Sequence, residues 1–360
     1  MKSKMQKHGK KDRLIFDIGT SNIKIVEAEE RHGYISVIRN ITVPTPEHCF
    51  EEGAVKSVSK LADLIVNELS KGGFSTKNAI MTLTSPQILT REVVLPKSNL
   101  KDMMMLVEVE APNHFPIDIS EYSVDFKVLG EVVEDDIQQY RVLLLLTPLK
   151  ILDSYVALFE KCGLFLEKID YKGNSFAKLI KNIDEAEENF ESGSTVVLDI
   201  GGEFSSVTIC KDGEMIFSRV FGVGSKLYNA ELLEYPGVTK ELAEKIKYEN
   251  GVVLMEEEEN NDYAKAARQG WEKISGPLFD EISRVFDFYV SRESENMINR
   301  ILLTGGGVLM PRLIRFISNT YDIRTDYLRC EGIIEFENPD EDMTMFSTYF
   351  SGCVGALLNE

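Results

Sequence analysis

The sequence lacks the groupings that mark a metalloprotein or a disulfide-stabilised protein. Its five cysteines are scattered and form no CxxC pair, and its four histidines are dispersed without an HxxxH or His-Cys grouping. Transition-metal sites and disulfide frameworks both need such clustered residues. The pattern therefore predicts reduced thiols, which are typical of the cytoplasm, and argues against a transition-metal site.

Long apolar runs and an excess of basic charge are absent as well. No apolar run reaches the ~18 to 20 residues of a membrane span, and the N-terminus lacks the apolar core of a signal peptide. We therefore expect a cytoplasmic protein. The chain has 40 Lys and Arg against 59 Asp and Glu, a net charge of −19. That charge would repel nucleic-acid phosphates and anionic lipid headgroups, so we expect no nucleic-acid partner.

What the sequence does contain is one acidic glycine turn, present twice. LIFDIGTSNIKIVEA, residues 14–28, is an apolar strand followed by Asp-Ile-Gly, small polar residues and a second strand. VVLDIGGEFSSVTIC, residues 196–210, repeats this order, so that Asp199 matches Asp17. Each copy continues into a third strand through a predicted hairpin, so the repeat covers a whole three-strand meander.

The order of the predicted elements indicates an α/β protein of two related lobes with a small α+β module inserted in the first. A chain of 360 residues is longer than one core usually serves, and the strand, helix, strand alternation between the two turns is typical of α/β architecture. The predicted parts are a basic flexible tail at 1–12, a first lobe at 13–90 and 163–190, an inserted module at 91–162, a second lobe at 191–345, and a C-terminal helix at 346–360 that returns to the first lobe. For the basic tail, a contact with a membrane surface or a partner is the alternative.

An acidic glycine turn after a buried strand suits a phosphate and a hydrated Mg²⁺ together. Glycines let backbone N–H groups surround a phosphate, and the Asp carboxylate can hold a water of the metal. Two such turns that face each other could grip the β- and γ-phosphates of one nucleotide. We assign the metal water to Asp17 and Asp199, and the phosphate contacts to Gly19, Thr20, Ser21, Lys24, Gly201 and Gly202. The alternative for either turn alone is an ordinary Asp-Gly strand end.

A third glycine-rich element follows a later strand. ILLTGGGVLMPRL, residues 301–313, ends a predicted strand with Gly305, Gly306 and Gly307 before a helix. Such a bend lets the backbone lie flat against a base or ribose, although a helix start also needs a tight turn. The motif GxxxxGK[ST] does not occur in the sequence, which excludes a P-loop protein.

The order DIGTSNIK, inserted module, DIGG, amphipathic helix and TGGG resembles the actin-like ATPase superfamily over nearly the whole chain. The resemblance implies two lobes that close on ATP and Mg²⁺, with the two acidic turns as phosphate loops and the triple glycine beside the adenosine. The segment AEKIKYENG resembles the nucleoside-contacting helix of that superfamily. It implies that Glu244 and Lys247 lie near the ribose and adenine.

Within the superfamily, the segments LTREVVLP, VEVEAPNHFPIDISEYSVDF, RVLLLLTPLKILDSYVALFEKCGL and INRILLTGGGVLMPRLIRFI resemble the PilM family of type IV pilus assembly proteins, relatives of FtsA. FtsA-like proteins end in a membrane-targeting amphipathic helix, which SGCVGALLNE does not resemble. The resemblance implies a groove beside the inserted module for the cytoplasmic N-terminal tail of a PilN-like bitopic membrane protein. That partner would hold the protein at the inner face of the cell membrane, within the pilus assembly machinery. Self-association is a further expectation.

Two departures from the superfamily pattern predict slow or absent ATP hydrolysis. The second turn carries Glu203 and Phe204 where small or hydroxyl residues are usual, which places negative charge beside the phosphates. Asp170 is the nearest acidic candidate for the catalytic, water-polarising position, and a structural role is its alternative. Two other functions of the same fold stay open at this point, an FtsA-like filament-forming division protein and a small-molecule kinase.

Overall fold

The computed structural model of the chain describes residues 12–31, 34–134, 136–186, 193–252, 262–338 and 340–359. Almost all of the predicted basic tail, and residues 32 and 33 of the first predicted hairpin turn, lie outside the described residues. The described strands are β1 (Arg13–Ile18), β2 (Asn22–Arg31), β3 (Tyr34–Pro44), β4 (Phe50–Glu51), β5 (Ala54–Val55), β6 (Asn78–Leu83), β7 (Leu89–Pro96), β8 (Tyr122–Glu134), β9 (Ile137–Pro148), β10 (Phe165–Tyr171), β11 (Ser194–Ile200), β12 (Ser205–Lys211), β13 (Glu214–Phe221), β14 (Ile298–Thr304), β15 (Arg324–Tyr327) and β16 (Ile334–Phe336).

Helices cover the sheets that these strands form. The described helices are α1 (Val58–Lys71), α2 (Leu100–His114), α3 (Leu149–Lys161), α4 (Lys172–Ala186), α5 (Lys226–Leu233), α6 (Lys240–Asn250), α7 (Asp262–Arg292), α8 (Leu313–Tyr321) and α9 (Met343–Leu357). None of the helices in this described part is both long enough and apolar enough to cross a membrane.

The first lobe is built on a mixed sheet of order β10-β6-β1-β2-β3-β16. Strand β1 is buried along almost its whole length because helices cover both faces of this sheet. Its side chains alternate between two cores, as the two-residue period of a strand requires. Phe16 packs with α1 and α3 on one face, whereas Ile15 packs with α4 and α9 on the other.

The second lobe repeats the first. Its sheet has the order β13-β12-β11-β14-β15, in which β11, β12 and β13 form an antiparallel meander and β14 runs parallel to β11. This matches β1, β2 and β3 with β6 in the first lobe. The turn between β12 and β13 has positive φ at Asp212 and Gly213, as a tight hairpin requires. The predicted α/β fold of two related lobes is therefore confirmed.

Helices α4 and α9 lie between the lobes. They pack against each other, α9 also contacts β1 and β14, and α4 contacts β6 and β13. Helix α9 is the C-terminal helix that was expected to return to the first lobe. The predicted second lobe extends to residue 345. In the structure, however, β16 at Ile334–Phe336 pairs with β3 and therefore belongs to the first-lobe sheet.

The inserted module consists of an antiparallel sheet of order β7-β9-β8 covered by α2, with a small core of its own. The predicted module, residues 91–162, also includes α3. In the structure, α3 packs in the core of the first lobe. Phe159 of α3 packs edge-on against Phe16, with ring centroids 4.9 Å apart. Of the methionine run in α2, Met103 fills the module core, whereas Met104 and Met105 are exposed.

Candidate functional site

The two acidic turns are closed by the same hydrogen bond. In the first, the N–H of Gly19 donates to the carbonyl oxygen of Asn22 at 3.0 Å, and in the second the N–H of Gly201 donates to that of Phe204 at 3.1 Å. Each bond closes a hairpin with a two-residue tip between the first and second strands of its lobe. The sequence repeat is thus a repeat of backbone geometry.

The tips of the two hairpins meet across the gap between the lobes. The first tip is Thr20 and Ser21, and the second is Gly202 and Glu203. A Cβ atom placed on Gly202 would lie 2.0 Å from Ser21 Oγ, a distance that real Cβ atoms do not reach. Any larger residue here would require Ser21 to move, so glycine allows the backbone of one turn to lie against the side chain of the other.

A lysine ties the two tips together. Lys226 at the start of α5 donates from Nζ to the carbonyl oxygen of Thr20 at 3.0 Å and pairs with Glu203 Oε1 at 2.8 Å. Its backbone N–H also donates to the carbonyl oxygen of Gly202. The sequence predicts a negative charge at Glu203 beside the expected phosphate site. In the structure, the ammonium group of Lys226 balances that charge.

The triple glycine borders the second turn and opens toward the cleft. Gly305 has φ +89°, and a Cβ there would lie 2.2 Å from Asp199 Oδ1, so only glycine fits. A Cβ on Gly306 would make only ordinary van der Waals contacts, 3.6 Å from the ring of Tyr349 and 3.8 Å from the hydroxyl of Tyr248. The hydroxyl of Tyr248 donates to the carbonyl oxygen of Gly306 at 3.3 Å. These groups form a partly aromatic wall of the cleft.

The cleft between the lobes has a volume of about 490 Å³. The structure brings thirteen of the residues predicted for the site to its walls, and their individual roles stay predictions. They are Asp17, Gly19, Thr20, Ser21, Lys24, Asp199, Gly201, Gly202, Glu244, Lys247, Gly305, Gly306 and Gly307.

Glu244 and Lys247 form an ion pair on α6, as their spacing of one helical turn allows. The Lys247 side chain is buried, its Nζ lies 2.8 Å from Glu244 Oε2, and it stands 4.6 Å from the centroid of the Tyr248 ring. Burial lowers the pKa of Lys247 below its ordinary value, and the Glu244 carboxylate only partly opposes that shift. Both residues lie beside the aromatic wall, at the end of the cleft where the resemblance placed a nucleoside.

Asp170 is the predicted site residue that the structure does not bring to the cleft wall. Its carboxylate accepts from Lys178 Nζ at 2.6 Å and from Asn174 at 3.0 Å. Lys178 Nζ also donates to the carbonyl oxygen of Leu358. Burial raises the pKa of Asp170, but Lys178 and Lys168 outweigh this effect and lower it below its ordinary value. This arrangement supports the structural alternative for Asp170.

The residue that the sequence reasoning missed is Lys172, two positions further on. Its Nζ lies between the two acidic turns, 3.0 Å from Asp17 Oδ2 and 2.7 Å from Asp199 Oδ2. Lys24 Nζ is 3.1 Å from the same oxygen of Asp17. The sequence does contain a signal for this position, because Lys172 directly follows β10. Strands β10 and β1 both run parallel to β6, so they end at the same edge of the sheet.

The ion pairs of Lys172 set the protonation states at the centre of the cleft. Burial alone would lower the pKa of Lys172, but the carboxylates of Asp17 and Asp199 outweigh burial and raise it above its ordinary value. Burial alone would raise the pKa of Asp17, but Lys172 and Lys24 hold it well below its usual range. Asp17 and Lys172 are therefore both charged at neutral pH.

The residues at this point do not form a ligand set for Mg²⁺. Mg²⁺ demands near-octahedral oxygen coordination at ~2.0 to 2.1 Å, whereas Asp17 and Asp199 both face the ammonium group of Lys172. In the part of the chain that the structure describes, no group of three or more His, Cys, Asp or Glu side chains could hold a metal ion. The expected metal-water role of the two aspartates is thus not visible in this arrangement.

A second concave surface lies between the inserted module and the first lobe. This groove, of about 260 Å³, lies between β8 and β9 on one side and β10 with the start of α4 on the other. Within the described residues, β10 lies at the end of its sheet. The groove is lined by apolar side chains interspersed with charges, among them Ile88, Phe126, Leu145, Ile169 and Met215 with Asp125, Lys127 and Lys168.

Comparison with known proteins identifies the family. A sequence profile described as type IV pilus assembly protein PilM matches residues 16–357, nearly the whole chain. The chain belongs to the PilM family. A solved PilM-PilN type IV pilus biogenesis complex is similar to it with a TM-score of 0.81 and 19% sequence identity, covering 96% of this chain and 99% of that one.

More distant structures confirm the actin-like ATPase fold. The ethanolamine utilization protein EutJ from Carboxydothermus hydrogenoformans has a TM-score of 0.50 at 12% identity, covering 95% of this chain and 89% of that chain. MreB5 of Spiroplasma citri bound to ADP has a TM-score of 0.50 at 12% identity, covering 95% and 94%. The described architecture is therefore that of an actin-like pilus assembly protein of the PilM family.

Proposed function

We propose that the protein is an ATP-binding scaffold of type IV pilus assembly that binds a PilN-like membrane protein and turns ATP over slowly or not at all. The observation that carries the nucleotide part is the tip-to-tip contact of two equivalent glycine hairpins, Ser21 against Gly202, at the floor of the cleft between the lobes. Glycine-rich turns that expose backbone N–H groups are a recurrent way of binding phosphate.

Charge and shape in the cleft suit the two ends of ATP differently. At the hairpin end, Lys24, Lys172 and Lys226 supply positive charge close to both tips. Elsewhere on the cleft wall, Gly306 with Tyr248 and Tyr349 forms a partly aromatic surface, which suits an adenine ring. The triphosphate would therefore lie between the hairpins and the adenosine beside the triple glycine.

Slow turnover follows from the pairing of the acidic side chains at the cleft. Phosphoryl transfer to water needs a group that orients the attacking water in addition to positioning and charge. Asp17, Asp199 and Glu203 each pair with a lysine at 3.1 Å or less. Asp170 is held by Lys178 away from the cleft wall. With these carboxylates engaged, the site is better suited to holding ATP than to hydrolysing it.

The groove between the module and β10 is the proposed site for the N-terminal cytoplasmic tail of the PilN-like partner. An extended peptide can add to a strand at the end of a sheet through backbone hydrogen bonds, while side-chain pockets provide specificity. Strand β10 offers such an edge, and Leu145 and Ile169 with the other apolar lining residues offer the pockets. The solved PilM-PilN complex with the same fold supports a PilN-like partner for the protein. The partner, rather than the chain itself, would then hold the protein at the inner face of the membrane.

Isothermal titration with ATP tests the nucleotide part, and titration with a synthetic partner tail tests the adaptor part. We expect saturable binding of one ATP and of one tail peptide. Absence of ATP binding by folded protein would refute the nucleotide site. Absence of tail binding by the same preparation would refute the adaptor role independently.

A further inference from the structure

The positive charge at the centre of the cleft is the ammonium group of Lys172. Lys172 is the first residue of α4, immediately after β10, and its side chain is buried. It reaches the two turns along the surface of α9, where a Cβ on Gly352 would lie 2.9 Å from Lys172 Cε. The absence of a side chain at Gly352 therefore provides the space that the Lys172 side chain occupies.

The ammonium group of Lys172 engages both carboxylates that a metal ion would have to use. One oxygen of Asp199 is paired with Lys172, and the other, Oδ1, lies against the α-carbon of Gly305. The oxygen of Asp17 that faces Lys172 also accepts from Lys24. One oxygen of each aspartate, Asp17 Oδ2 and Asp199 Oδ2, is therefore already paired with an ammonium group.

We propose that Lys172 replaces a protein-held divalent cation in this site, so that a nucleoside di- or triphosphate binds without requiring Mg²⁺. The inference rests on the proposed nucleotide site for its ligand, but the position of Lys172 between the two aspartates is independent of it. A divalent ion added beside Lys172 and Lys24 would face two fixed positive charges at close range. A phosphate that enters the same space would meet those charges favourably, through charge-assisted hydrogen bonds.

The first test measures the affinity of the wild-type protein for the non-hydrolysable analogue AMPPNP by calorimetry, once in excess Mg²⁺ and once in EDTA. We expect similar affinities in the two conditions. Lys172→Ala should weaken binding in EDTA by about ten-fold or more, since a charge-assisted hydrogen bond is lost, and excess Mg²⁺ should restore much of the affinity of this variant. Wild-type binding that is lost in EDTA would overturn the inference while leaving the nucleotide site standing.

The second test needs no nucleotide. Mn²⁺ is titrated into the nucleotide-free protein, and bound ion is followed by electron paramagnetic resonance. Wild-type protein should hold no Mn²⁺ in the cleft, whereas Lys172→Ala should gain one ion, because Asp17 and Asp199 are then left without their shared cation. Lys24→Ala is the matched control: it removes an ammonium group from Asp17 but keeps Lys172 in place, and we expect no bound Mn²⁺.

Two further variants secure the reading of these tests. The double variant Lys172→Ala/Asp199→Asn should lose the new Mn²⁺ site, which would show that the site lies in the cleft. If Lys172→Ala does not fold, Lys172→Gln takes its place in both tests. A Mn²⁺ ion bound by the wild-type protein and lost in Asp199→Asn would overturn the inference. If AMPPNP binds in neither condition, the proposed nucleotide site fails, and the Mn²⁺ result alone still decides whether Lys172 excludes a metal.

Discussion

Ser21 Oγ and Gly202 lie in direct contact, although they belong to different lobes and to the two copies of one sequence repeat. Each stands in the tip of a hairpin that begins at the C-terminal end of the central strand of its lobe. Because β1 and β11 each end at such a hairpin, the internal repeat of the chain produces two glycine hairpins that face each other, and these hairpins are the proposed phosphate site. The contact is the structural reason for placing the nucleotide between the lobes.

Gly202→Ala should therefore damage ATP binding. The added Cβ would lie 2.0 Å from Ser21 Oγ and 3.1 Å from Ser21 Cβ, so Ser21 or the second tip must shift. Overpacking of this kind costs about 1 to 3 kcal/mol, which corresponds to a loss of affinity of about five-fold or more. Gly222→Ala is the matched control, because a Cβ at Gly222 meets nothing within 4 Å. Calorimetric titration with ATP compares the two variants, and equal affinities would argue against the tips as the phosphate site.

Asp170→Asn should destabilise the protein without changing its ATP affinity. The substitution leaves the ammonium group of Lys178 buried without its carboxylate partner, and breaking a buried ion pair in this way costs about 3 to 5 kcal/mol. Urea unfolding measures the loss. The double variant Asp170→Leu/Lys178→Met should lose less, because no charge is left unpaired. A variant Asp170→Asn of unchanged stability but abolished ATP turnover would instead make Asp170 a catalytic residue.

Acid should destabilise the protein through the same ion pair. The pKa of Asp170 is lowered from the ordinary value 3.8, so its folded form binds a proton less readily than its unfolded form. The stabilisation is complete above the unfolded pKa and is lost as the pH falls below it toward the lower folded value, by up to about 1.4 kcal/mol per pH unit. Urea unfolding at a series of pH values should show a steeper loss for wild type than for Asp170→Leu/Lys178→Met. Identical pH profiles would contradict the assignment.

Binding of the partner tail should depend on the groove and not on the outer face of the module. Leu145→Ala removes a half-buried apolar side chain that lines the groove, and a lost contact of this size weakens peptide binding by about ten-fold or more. Val109→Ala, on the exposed face of α2 in the same module, is the matched control and should bind the tail like wild type. If only Val109→Ala impaired binding, the tail would dock on α2 instead. Thermal unfolding must first show that both variants are folded.

The sequence predicted the fold and most of the cleft because these features depend on local patterns. A glycine turn after an apolar strand is readable residue by residue, and its repetition fixes the relation between the lobes. Lys172 was missed because its role depends on a contact across three elements: β10 positions it, α9 leaves room for it, and the partner carboxylates come from both lobes. Asp170 is the acidic residue nearest to the water-polarising position that the resemblance implies, and only the structure reveals its pairing with Lys178.

The module boundary shows the same limit. Helix α3 begins directly after β9, with no linker between them. The sequence therefore does not indicate that this helix packs with the first lobe and not with the module. Its buried side chains, Ile151, Tyr155, Leu158 and Phe159, all lie in the first-lobe core. An amphipathic pattern states which face of a helix is apolar, but it does not state which of two neighbouring cores that face will join.

The central claim is that one ATP binds between the two hairpins, and a crystal structure of the protein with AMPPNP tests it most directly. We predict that the β- and γ-phosphates lie between the tips formed by Thr20–Ser21 and Gly202–Glu203, with the adenine beside Gly306. Lys172 should lie within hydrogen-bond distance of a phosphate oxygen. A nucleotide whose phosphates contact neither hairpin, or crystals that hold no nucleotide at saturating concentration, would contradict the account.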